Sequence, residues 1–94
     1  MDFGGRRLRA VAGNAWIVRE GRKDAVATRA WTLRGEGREL PVRTGREGDF
    51  YAEDVVPGRY EGRLQDGQRA YACRLTIPAF QEPVHELREG IVCE

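Results

Sequence analysis

The chain has 94 residues, enough for one domain, with a formal net charge of +1. That balance gives no general pull toward nucleic acid or an anionic membrane. No apolar run is long enough to cross a bilayer as a helix, and the absence of serine removes serine nucleophiles outright. The basic residues are 15 Arg and one Lys, which reads as codon bias or a thermophilic surface before it reads as a binding signature. Charge is uneven along the chain. Residues 1–47 carry 11 basic and 6 acidic side chains, or +5, and residues 48–94 carry 5 and 9, or −4. Such a bipolar chain can orient a charged partner through Arg6, Arg7, Arg9, Arg19, Arg22 and Lys23, although solvated faces of opposite sign explain it more simply.

In chain order, the periodicity is mostly two, the signature of half-buried strands. Strands are expected at 7–11 and 15–20, the second with Trp16 and Val18 on one side. A third, 25–34, has Ala25, Ala27, Trp31 and Leu33 on one face and Arg29 out of phase. Trp16 and Trp31 are assigned to the core. Gly21–Asp24 separates two strand patterns at hairpin distance, and Gly35-Glu36-Gly37 ends the third. Strands follow at 39–43, 48–53, 58–64 and 68–77, with a short eighth possible near 89–93. Pro57-Gly58 suits the centre of a type II turn, and Asp66-Gly67 is a hairpin signal. Phe50, Tyr60 and Leu64 fall on inward phases. Residues 81–89 admit one helical turn beginning at Pro83. Turns every 8–12 residues or so suit a sandwich or barrel. The fold expected is all-β: a small antiparallel β-sandwich of about seven strands, occupying residues 1–94 as a single domain.

The chemistry-bearing residues are few. Cys73 lies on the inward face of the strongest strand, and Cys93 is the penultimate residue. Three arrangements are open: a structural disulfide, two buried free thiols, or a Cys–His pair with His85, the one histidine. Two sulfurs and one imidazole lack a fourth metal ligand at usual spacing. A disulfide would close a loop of about 20 residues, worth roughly 3 kcal/mol, and would place the domain in an oxidising compartment. The start, MDFGGRRLRAVAG, has no apolar segment of the signal-peptide kind. An oxidising compartment therefore implies a piece excised from a longer exported protein. Gly45 and Gly48 do not make a phosphate cradle, since no Gly-Lys-Ser/Thr is present and no helix follows.

Two resemblances add to this reading. Gly48, Phe50, Pro57-Gly58, Tyr60 and Leu64 resemble the Ig-like or transthyretin-like sandwiches of the carboxypeptidase-regulatory type, which implies a fold and no activity. A narrower likeness spans more of the chain. Trp31-Thr32-Leu33, Gly37-Arg38-Glu39-Leu40-Pro41, Gly48-Asp49-Phe50-Tyr51, Cys73 with Leu75-Thr76-Ile77-Pro78, and a late Cys93 occur in an order that resembles the C-terminal domain of outer-membrane ushers of chaperone–usher pili. Asp2-Phe3 and Arg6–Val11 look like the segment entering that domain. The chain departs from the pattern after Pro41, where Val42-Arg43-Thr44 stands in place of Phe-Gly-Ala. It departs again in a hairpin shortened to Thr44–Glu47 and in a longer tail after Pro78.

The usher resemblance implies a periplasmic domain of an outer-membrane protein that is not itself inserted in the membrane and is monomeric in isolation. It would transiently hold chaperone–pilin subunit complexes, with no catalysis, cofactor, metal or nucleic acid. Val55, Val56, Pro57 and Phe80 are the candidate partner contacts; core packing is the competing assignment for Val55, Val56 and Phe80. The rival reading is a regulatory or adhesive sandwich with a structural role beside another domain.

Overall fold

A computed structural model describes residues 9–94. Nine strands form: β1 (Ala10–Arg19), β2 (Arg22–Ala25), β3 (Ala30–Gly35), β4 (Arg38–Arg43), β5 (Asp49–Glu53), β6 (Gly58–Asp66), β7 (Arg69–Ile77), β8 (Val84–Glu86) and β9 (Ile91–Cys93). No helix occurs among the described residues. The large sheet runs β2-β1-β9-β7-β6-β3-β4, while β5 and β8 pair with β1. A bridge between Thr44 and Phe50 links the β4 end to β5, so the ladder curls back onto β1 and closes. The product is an all-β, sandwich-like domain.

β1 is the seam. Its first half, Ala10–Asn14, pairs with β5 on one side, and Ala10–Ala12 pairs with β8 on the other. Its second half pairs with β2 over Trp16–Arg19 and with β9 over Ala15–Ile17. The change of partner falls at Ala15, whose N–H donates to Gly48 C=O and whose C=O accepts from Val26 N–H. Residues 10–19 thus form one strand where two were expected. Residues 7 and 8 of the expected 7–11 strand lie outside the described residues, as do Asp2-Phe3, Arg6 and Arg7.

The alternation expected for β4 to β7 is present, with Phe50, Tyr60 and Leu64 buried. Phase differs elsewhere. In β1 Ala15 and Ile17 point into the core, and Trp16 and Val18 are half-buried on the opposite phase. Trp16 carries the Lys23 ammonium 5.6 Å from its ring centroid. The expected 25–34 strand breaks at Thr28, which has φ of 54°. Val26 therefore turns inward, leaving Ala25 and Ala27 exposed. The break is held by Thr28 N–H to Gly45 C=O at 2.9 Å and by Arg29 N–H to Thr44 Oγ1 at 2.9 Å. Trp31 packs half-buried against the core.

Three further expectations are corrected. Val84–Glu86 is a strand, not a helical turn, because the β1 edge at Ala10–Ala12 offers unpaired backbone groups that three extended residues satisfy. The sandwich is not wholly antiparallel either: β8 and β9 both run parallel to β1. Gly58 has φ of 148° and opens β6, so the Pro57-Gly58 step is not the type II geometry of about +80°. Asp54, at φ of 56°, supplies the left-handed residue of that connection.

Candidate functional site: the cysteine pair and the interaction surfaces

Cys73 and Cys93 are direct partners across β7 and β9 and are joined in a disulfide. Ala72 and Glu94 exchange both backbone hydrogen bonds, at 2.9 and 3.0 Å. The adjacent Cys73–Cys93 position is therefore a non-hydrogen-bonded pair, where side chains approach most closely. Both sulfurs are sealed in the core beside Ile91, Leu75 and Tyr60. With both cysteines bridged, neither is a free thiolate for a Cys–His pair.

His85 is engaged elsewhere. Its Nδ1 lies 2.9 Å from Glu82 Oε2, and its ring stacks on Phe80 with centroids 5.0 Å apart. The hydrogen bond to His85, followed by Glu82's own backbone N–H, holds the Glu82 carboxyl below its ordinary value of 4.5. Among the described residues no group of three His, Cys, Asp or Glu side chains gathers as for a metal.

The structure separates the four candidate contact residues. Phe80 and Val55 are core residues, only 6% and 7% exposed. Phe80 lies outside the alternating pattern yet folds beneath β8, where His85 stacks on it. Val55 is drawn inward by its N–H, which bonds Arg9 C=O at 3.1 Å. That leaves Val56, 37% exposed, and half-buried Pro57 as surface. Tyr60 Oη donates to Val56 C=O at 2.7 Å and fixes this crest from below.

The bipolar charge of the sequence is partly cancelled in space. Arg29 pairs with Asp66, Arg19 lies 3.9 Å from the same carboxylate, and Arg38 lies 3.8 Å from Asp54. Each pair joins the basic half to the acidic half. Across the large sheet the register aligns Arg74, Glu61, Arg34 and Glu39 in one row of alternating sign. Opposite charges on facing strands stabilise a sheet modestly and leave no one-signed field along that row.

Two exposed apolar residues lie outside the expected contact set, Tyr51 in β5 and Val84 in β8. Tyr51 is 56% exposed and Val84 46%. For Tyr51 the available signal was the alternation along β5; for Val84 there was none, since 84–86 is extended through its pairing with β1. No family model, curated protein or solved structure matches the chain.

Proposed function

We propose that the chain is a non-catalytic binding domain of a pilus-assembly usher, which transiently holds chaperone–subunit complexes in the periplasm. The observation that carries this reading is the Cys73–Cys93 bridge. Two late cysteines, one in the strand that ends in Leu-Thr-Ile-Pro and one at the chain's end, are the most specific part of the resemblance to usher C-terminal domains. Their union occupies the only thiols of the chain in a structural role. The ordered motifs at Leu33, Leu40-Pro41 and Phe50-Tyr51 support it further, since Leu33, Leu40 and Phe50 all pack in one core. Transient holding calls for moderate affinity and quick release, which exposed apolar residues with charged neighbours provide.

A second reading is a regulatory or adhesive sandwich beside another domain. The Pro57-Gly58-Arg59-Tyr60 unit and the Tyr60–Val56 hydrogen bond favour it, because they are scaffold features with no pilus-specific content. Co-purification separates the two. The domain, kept oxidised, is mixed with candidate chaperone–subunit complexes, with chaperone alone and with the parent chain's neighbouring domain. Retention of the loaded complex supports the usher reading. Retention of the neighbouring domain alone supports the rival.

A further inference from the structure

β9 is held differently from the other strands. It is only three residues long, and it lies between β1 and β7. Three register pairs join it to β1 and two join it to β7, and Glu94 adds its exchange with Ala72. Every other ladder stands without it. β1 pairs independently with β2, β5 and β8, and β7 pairs with β6 from Gly58–Ile77 to Asp66–Arg69. β9 is also set apart from β8. β1 advances three residues from Ala12 to Ala15, while the partner chain advances five from Glu86 to Ile91. That slack lets β9 dock or leave without drawing β8 with it. What fixes β9 is the burial of Ile91 and Cys93, both 0% exposed, and the covalent tie from Cys93 to Cys73. Cys73 itself is 1% exposed, so a seated β9 shields both sulfurs from any reagent in solution.

We propose that the bridge is a directional redox latch: oxidation locks β9 into the slot between β1 and β7, and in the dithiol form β9 leaves that slot while the other strands stay folded. Locking forms the Cys73–Cys93 S–S bond by thiol–disulfide exchange. The two thiols give up two electrons and two protons to a disulfide-bearing oxidant, which departs as a dithiol. Burial gives the latch its direction. With β9 out, both thiols are open to the oxidant and exchange proceeds. With β9 seated, no thiolate reaches either sulfur, and reduction is slow. The tie also changes how β9 can open. While it is intact, β9 cannot separate from β7, so its amides exchange only when the sheet itself opens. Once it is cut, β9 opens alone. Ala72 then loses both hydrogen bonds to Glu94, and β1 loses its partner over Ala15–Ile17. The assignment does not rest on the usher reading.

The test is amide hydrogen exchange of the full chain, followed residue by residue by NMR. It compares the oxidised protein, the protein refolded with a dithiol reductant, and the Cys73→Ala/Cys93→Ala variant, which needs no reductant. Ala72 turns its N–H to Glu94, so Tyr71 and Leu75 turn theirs to β6 and report on the rest of the sheet. In the oxidised protein, Ile91–Cys93 should exchange in the slowest class together with Tyr71 and Leu75. In the reduced protein and the variant, residues 91–93 and Ala72 should exchange about a hundredfold faster, the factor expected for releasing a loop of this length. Tyr71 and Leu75 should stay protected. Iodoacetamide should label both thiols of the reduced protein under native conditions. Unchanged protection at residues 91–93 after reduction would make the bridge a staple alone and overturn the proposal. An equal loss of protection in every strand would do the same, as would reduced thiols that resist iodoacetamide.

Discussion

At the residue scale, Gly90 marks the tightest constraint on the C-terminal segment. It has φ of 66°, and a Cβ there would sit 2.0 Å from Asn14 C=O. Gly37 has a similar φ of 72° with open space around it. Gly37→Ala should cost about 1 kcal/mol for backbone strain alone, and Gly90→Ala about 3 kcal/mol, because β9 must also move off β1. Urea denaturation of both oxidised variants checks the difference. Replacing Cys73 and Cys93 together by alanine should remove about 3 kcal/mol, from a bridge that closes a loop with a sequence separation of 20. The same denaturation experiment reads it. Glu82 offers a pH-dependent check. Its depressed carboxyl pKa means that its contribution is present above the ordinary value of 4.5 and is lost as pH falls through the folded value. His85→Phe keeps the stack on Phe80 and removes the hydrogen bond. The Glu82 titration, followed by carbon NMR, should then move up toward its ordinary value.

At the scale of elements, the Asp54–Pro57 crest and the Phe80 segment show how far alternation can be read. The strands β4 to β7 were legible because their two faces differ chemically, as in Tyr71, Cys73, Leu75 and Ile77 set against Ala70, Ala72, Arg74 and Thr76. β2 was illegible as a strand, since Arg22-Lys23-Asp24-Ala25 has no apolar face and is extended only because β1 pairs with it. β8 was hidden for the same reason: its partner edge, not its composition, makes it a strand. The inward turn of Val26 depends on one left-handed residue, Thr28, which no periodicity announces. The cysteine pair was legible as a candidate bridge, but only the strand register decides among the three arrangements. The burial of Val55 and Phe80 against the exposure of Val56 yields a direct test. Phe80→Ala should destabilise by about 3 kcal/mol and Val55→Ala by about 2, as cavity-forming changes. Val56→Ala should stay within about 0.5 kcal/mol. Thermal and chemical denaturation of the three variants measure this. An unchanged Phe80→Ala protein would return that ring to the surface.

At the scale of the whole molecule, a three-residue strand completes the ring. β9 is the element through which β1 and β7 meet, with Ile91 and Cys93 in the core and the bridge holding its last turn of register. The same bridge occupies both thiols of the chain. On the surface, charges of opposite sign face one another in a row across the large sheet, and Tyr51 and Val84 are exposed on the small one. Peptide mapping by mass spectrometry, on protein made in an oxidising compartment and digested without reduction, tests the bridge most directly. The expected result is a single linked peptide pair containing Cys73 and Cys93, with no alkylation of the native protein. Two free thiols in the folded protein, with one alkylated selectively, would contradict it and would restore a cysteine nucleophile as the centre of function.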